Sequence, residues 1–154
     1  MRAVDSAPDS RLADRDYVRL AELRHALRSF LRWSGDEARR AGVTPAQHQL
    51  LLTIRAAPHP GGPTVGEVAQ ALLVRPHSAV ELADRAQEAG LITRRRDPDQ
   101  HSQVRLSLTA EGGDMLQELS QTHVRELRQL APVMRALAEL GDLPEPKGSR
   151  TPAR

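Results

Sequence analysis

Between Asp16 and Ala41 apolar residues recur at helical spacing: Leu20, Leu23, Leu27, Phe30, Leu31 and Ala38. Gly42 ends that helix in the position that favours a left-handed residue. Thr44-Pro45-Ala46-Gln47 opens a second helix: Thr44 caps, Pro45 fits the first turn, and Gln47 completes a capping box. Leu50, Leu51, Leu52 and Ile54 are its apolar members, and the stretch from Ala57 to Pro63 (APHPGGP) breaks the chain. A second capping box, Thr64 to Glu67, starts a short third helix to about Leu73, with Val65, Val68, Ala69 and Leu72 turned inward. A fourth helix starts near Arg75-Pro76 and stops at Ala89-Gly90.

The period then changes. Leu91 to Arg96 and Gln103 to Leu108 read as strands, joined by a DPDQHS turn. Val104, Leu106 and Leu108 alternate with Arg105 and Ser107, which predicts one apolar and one polar face. Thr109 caps a last long helix. Met115, Leu116, Leu119, His123, Leu127 and Leu130 form its seam; Pro132 kinks or restarts it, and Val133, Met134, Leu137 and Leu140 extend it to Gly141.

Helix, turn, helix and basic hairpin in that order make a winged helix-turn-helix. The predicted fold class is therefore mainly α with a small β-hairpin wing, flanked by long dimerisation helices. The expected organisation is a mobile arm over 1–14, dimerisation helices over 15–43 and 109–140, a winged region over 44–108, and a disordered tail over 141–154.

Composition narrows the picture. The chain has 154 residues, 39% hydrophobic and 27% charged, which suits one globular domain. With no cysteine, disulfides and thiolate metal sites are excluded. No apolar run reaches the roughly 20 residues that span a bilayer, and no signal-peptide pattern opens the chain, so a cytoplasmic protein without membrane contact is expected. The net charge is only +2, so any surface for nucleic acid has to come from local clustering.

Clustering is found in the centre. On the fourth helix Ala79, Leu82, Ala83 and Ala86 form one side, while His77, Ser78, Glu81 and Arg85 lie opposite, with Val80 at the edge. Arginine bridges guanine acceptors, glutamate accepts from cytosine, and an apolar group touches a thymine methyl. Arg75 at the helix start suits a base or a phosphate, and Ser78 either. Glu81 and Arg85 read equally as a solvated face with a local pair. The hairpin adds Arg94, Arg95, Arg96 and Arg105, with His101 at its tip. Three consecutive arginines on a strand point to both faces, so not all reach a duplex. Double-stranded DNA is the expected partner. An enzyme is not expected: no phosphate-binding glycine loop or paired-carboxylate motif occurs, and His77 and Ser78 project about 100° apart on a helix.

The segment ELADRAQEAGLITRRRDPD leading into VRLSLTAEG resembles the MarR family of transcriptional regulators, as do Val43-Thr44-Pro45 and TVGEVAQAL. Asp84, Arg85, Gly90, Leu91, Arg94, Asp97, Leu108, Thr109 and Gly112 sit at matching places. The wing tip departs: Gln100, His101 and Ser102 stand where the family usually carries further charges, and the familiar tip arginine is missing. Arg96, His101 or Arg105 is left to substitute for it. The resemblance implies a homodimer on a pseudo-palindromic operator, acting as a repressor released by a small ligand. Two further classes remain: an effector-independent DNA-binding regulator, and a winged module for protein contact.

For the ligand, Tyr17, Phe30 and Trp33 all lie in the first helix, and His48 occupies a second-helix position where relatives often have an aromatic. A cleft there suits an apolar or phenolic ligand with His25 or His48 as polar contact; the alternative is core and dimer packing. No cofactor or metal is expected, because His25, His48 and His123 lie on three separate helices.

Overall fold

The computed structural model describes residues 12–132 and Arg135. Its elements are α1 (Asp14–Arg40), α2 (Pro45–Arg55), α3 (Val65–Ala71), α4 (Pro76–Glu88), β1 (Ile92–Arg96), β2 (Val104–Leu108), α5 (Ala110–Leu127) and a 3-10 turn (Arg128–Leu130). Leu31–Glu126 form one compact unit, and the residues before Leu31 and after Glu126 form another.

Side-chain caps set where the helices start. The Thr44 hydroxyl accepts from the Gln47 N–H at 3.1 Å, and the Gln47 amide accepts from the Thr44 N–H at 2.9 Å. Thr64 and Glu67 repeat the arrangement at 3.2 and 2.7 Å. Each box satisfies two backbone donors that the first turn leaves without partners. Thr109 does two jobs: its hydroxyl accepts from the Gly112 N–H at 3.0 Å and donates to the Gly90 carbonyl at 2.6 Å. It ties the exit of α4 to the entry of α5.

Three helices end in the same hydrogen-bonded turn, the Schellman motif. After α1, Gly42 donates to Arg39 and Val43 to Ala38; after α4, Gly90 donates to Gln87 and Leu91 to Ala86. Both glycines are left-handed, with φ of 89° and 73°. After α3, Leu73 donates to Gln70 and Val74 to Ala69, and Leu73 is itself left-handed at φ 55°. That conformation costs an L-residue about 1–2 kcal/mol.

The core of the larger unit collects Leu50, Leu51, Val68, Ala83, Ile92 and Leu106, with Leu116 and Leu119 from α5. Its elements approach so closely that two positions have no room for a side chain. A Cβ on Gly62 would lie 1.9 Å from the Leu106 carbonyl, and one on Gly112 would lie 2.0 Å from the Leu91 carbonyl.

The wing strands pair antiparallel with Ile92 opposite Leu108 and Arg96 opposite Val104. A third stretch of chain joins them: Thr64 bridges Arg105, and the Leu106 N–H donates to the Pro63 carbonyl at 2.8 Å. This overturns the simple alternation expected for β2. Arg105 is 7% exposed, whereas Val104, expected on the apolar face, is 40% exposed. The reason is that the Arg105 side chain is drawn in by hydrogen bonds to Asp97, the Gly62 carbonyl and Gln103, whereas Val104 is the first residue of the strand.

The last helix loosens where proline demands it. Pro132 has no N–H, and its ring crowds the carbonyl four residues back, at Arg128. Helix α5 gives way to the 3-10 turn at that residue. The expected continuation through Val133, Met134, Leu137 and Leu140, the tail over 141–154 and the arm before Leu12 lie outside the described residues. Along the two long helices a set of apolar side chains is exposed, including Tyr17, Leu20, Leu27 and Leu31 on α1 and Val124 and Leu127 on α5.

Candidate nucleic-acid interface

Helix α4 buries Ala79, Leu82, Ala83 and Ala86, the stripe expected of it. His77, Val80, Glu81, Asp84 and Arg85 are exposed on the rest of its surface, and Ser78 is half-buried. Arg75 is the N-cap residue, exposed, with its side chain not engaged in capping. Glu81 and Arg85 stand 3.9 Å apart, both well exposed. Such a pair holds weakly in water and is free to open toward a partner.

The four wing arginines have three different fates. Arg95 and Arg96 are exposed and make no ion pair among the described residues. Arg94 is turned onto α4: it lies 2.6 Å from the Asp84 carboxylate and donates to the Gln87 side chain at 2.8 Å. Alternation along β1 sends it to the side opposite Arg95. Arg94, expected as a DNA contact, is thus engaged with α4 in this structure.

Arg105 is corrected more strongly. Its Nε donates to Asp97 Oδ2, its Nη1 donates to the Gly62 carbonyl at 3.0 Å, and its Nη2 donates to the Gln103 side chain at 3.2 Å. Glu67 stands 3.6 Å from Nη1. A guanidinium so enclosed has no face left for a phosphate. Asp97 in turn accepts from the backbone N–H groups of Asp99 and Gln100 at 2.9 and 3.1 Å. The hydrogen bond from Arg105, backed by that from Asp99, holds the Asp97 carboxyl down to about 2. The Thr64 N–H is the main cause of the lowered Glu67 pKa, with the Arg105 charge adding to it. His59 completes the group: its Nε2 is 4.0 Å from Asp97, and its Nδ1 accepts from the Gly61 N–H at 3.0 Å.

The sequence pattern does not signal this brace: Asp97 sits only at a place matching the MarR pattern, the stretch from Ala57 to Pro63 only breaks the chain, and Glu67 only completes a cap. One available signal was an aspartate followed by proline, which favours turn hydrogen bonds. His101 is exposed at the tip, with Gln100 and Ser102 beside it.

The candidate ligand residues divide. Tyr17, His25 and Phe30 precede Leu31 and so belong to the other unit; Tyr17 and His25 are exposed and Phe30 is half-buried. Trp33 and His48 come together around His123, with ring centroids 4.9 and 4.6 Å from it. His123 Nδ1 lies 2.7 Å from the Leu119 carbonyl, so that nitrogen donates, and in the neutral ring Nε2 accepts from the Ser34 hydroxyl at 2.7 Å. His48 is 3% exposed and its Nδ1 has no partner among the described residues. Burial, and then the neighbouring His123, lower its pKa. These side chains pack on one another rather than line an opening. A separate cleft of about 510 Å³ runs between α2 and α5, lined by Leu52, Arg55, Leu116 and Gln117 among others. Among the described residues no three His, Asp or Glu side chains converge as a metal site, and no described helix is long and apolar enough to cross a membrane.

Residues 41–101 match the model of the MarR family. The chain is 33% identical over 78 residues to the HTH-type transcriptional repressor MdtR of Bacillus subtilis, a match over 51% of this chain and 48% of that protein. It thus spans about half the length of the curated relative. Among solved structures, the YusO protein of Bacillus subtilis superposes with a TM-score of 0.60 at 24% identity, covering 84% of this chain and 99% of that one. The F27L mutant of Staphylococcus aureus MepR, solved bound to an oligodeoxyribonucleotide, gives 0.57 at 20% identity, with the same two coverages of 84% and 99%. With its helix-turn-helix and its braced two-stranded wing, the chain has the winged-helix fold, and over residues 41–101 it is similar to the MarR family.

Proposed function

We propose that this chain is a homodimeric, sequence-specific DNA-binding transcriptional regulator, of the repressor type named for its curated relative. One observation carries the reading. Helix α4 presents an open polar face (Arg75, His77, Ser78, Val80, Glu81 and Arg85), and beside it the wing presents Arg95 and Arg96 without ion-pair partners among the described residues. Base edges in the major groove suit the helix, and phosphates suit the arginines. The bound oligonucleotide in the MepR structure supports the same use of this fold.

Dimerisation is supported by Leu20, Leu27 and Leu31 of α1 and Val124 and Leu127 of α5, which a lone chain leaves in water. Two copies would read half-sites about 10 base pairs apart. The effector is a small molecule, and the cleft between α2 and α5 is its better place, because Trp33 and His48 already pack against His123. That same packing favours a second reading, a DNA-binding regulator with no effector.

Fluorescence anisotropy tests the proposal, with duplexes tiled across the region upstream of the protein's own gene, at two salt concentrations. Tight binding to one pseudo-palindrome, weakening as salt rises, is expected. Binding without sequence preference, or none, would reject it and favour a winged module for protein contact.

A further inference from the structure

Leu73 is in the wrong place for a leucine by every measure internal to the fold. It occupies the left-handed position of a Schellman turn, the position that this chain fills with Gly42 after α1 and Gly90 after α4. The residue that follows each glycine is buried, Val43 at 5% and Leu91 at 2% exposure. Here the following residue, Val74, is 41% exposed, and Leu73 itself is 92% exposed. The leucine thus bears the strain of the left-handed conformation without any packing contact in return. A glycine or asparagine would make the same turn with less strain and less apolar surface in water.

The position of this turn says what it faces. It joins α3 to α4, two residues before the N-cap Arg75, at the end of the helix that the proposed function places in the major groove. Val80, one turn into α4, is 44% exposed. Leu73, Val74 and Val80 are thus three exposed apolar side chains in the turn before α4 and the first turns of the helix itself. The apolar feature of the major groove is the thymine 5-methyl group, which projects near the groove's edge.

We propose that Leu73 is a specificity-determining residue that, with Val74 and Val80, contacts thymine methyl groups where α4 enters the groove. The inference rests on the DNA-binding reading above, and the experiment separates the two. Duplexes are selected from a random pool by the wild-type protein, then resynthesised with deoxyuridine in place of every thymine, which removes only the methyls. Wild type is expected to bind the deoxyuridine duplex about three- to tenfold more weakly for each methyl contacted. Leu73→Gly and Leu73→Asn are expected to keep or raise the melting temperature, to bind the thymine duplex more weakly, and to lose most of the penalty for deoxyuridine. If both variants show the wild-type affinity and the wild-type penalty, the role of Leu73 is overturned while DNA binding stands. If the wild type selects no duplex, the DNA-binding reading falls and this one with it.

Discussion

Arg105 and Asp97, eight residues apart, face each other across the wing as a hydrogen-bonded ion pair in which both side chains are almost wholly enclosed. The arginine reaches on to the Gly62 carbonyl at 3.0 Å. One side chain thereby joins the wing turn, strand β2 and the loop before α3. Removing either partner leaves the other charge enclosed with only a longer contact, Glu67 for Arg105 or His59 for Asp97. Arg105→Ala and Asp97→Asn are expected to lower the melting temperature by roughly 5–10 °C. Both should also weaken binding to duplex DNA, although neither residue is placed to touch it. Unchanged melting temperatures in both variants would show the pair to be dispensable.

Acid should release the same pair. A carboxyl whose pKa falls from 3.8 to about 2 on folding stabilises the folded state fully above its unfolded value, and that contribution fades as pH drops toward 2. The stability gap between wild type and Asp97→Asn should therefore narrow below pH 4, as read by urea unfolding at a series of pH values. A gap that stays constant down to pH 2 would contradict the assignment.

His48 gives pH dependence in a higher range. Its pKa is lowered from 6.5 on folding, so the unfolded chain takes up the proton first as the solution is acidified. Stability attributable to His48 is complete above about 6.5 and declines as pH falls below it. His48→Leu removes the titrating ring and a nitrogen without a described partner. It should match or exceed wild type in melting temperature at pH 7.5 and lose less of it by pH 5.5. Parallel losses in the two proteins would assign the acid sensitivity to other groups.

Gly112 and Gly113 are neighbours on α5 with opposite expectations. A Cβ on Gly112 meets the Leu91 carbonyl at 2.0 Å, whereas one on Gly113 meets nothing within 4 Å. Gly113→Ala should stabilise by about 0.5–1 kcal/mol, the helix-propensity gain. Gly112→Ala should force α5 away from Leu91 and lower stability by more than that amount. Denaturant melts of the two variants supply the comparison, and equal midpoints would contradict it.

The exposed apolar residues of the long helices predict an association state. Leu27→Glu and Leu31→Glu together should convert a dimer to a monomer by light scattering, while the circular dichroism keeps its helical form. A double variant that remains dimeric would put the interface elsewhere.

Much of this architecture could be read from neighbouring letters. Thr44–Gln47 and Thr64–Glu67 are three residues apart, and Gly42 and Gly90 mark helix ends by themselves. The alanine stripe of α4 needs only the helical period. What escaped depends on contacts between distant parts of the chain. Arg105 reads as an outward residue because strand alternation takes no account of the Gly62 carbonyl, 43 residues earlier, that its guanidinium meets. His123 read as one more position in a seam, whereas its ring meets Ser34, 89 residues away. Arg94 resembled its neighbours Arg95 and Arg96, and only the fold brings Asp84 and Gln87 beneath it. The strain at Leu73 left no trace in the letters, since a leucine at a helix end is ordinary until its φ is known.

Because Gly62, Glu67, Asp97 and Arg105 lock the wing to the helix-turn-helix, wing and helices form a single casting. A wing transplanted from another protein would arrive without its socket unless all four positions travelled with it. On the proposed DNA-binding reading, new target preferences are then easier to reach by recutting the teeth, at Arg75, Ser78, Val80 or Arg95, than by resetting the angle between wing and helix.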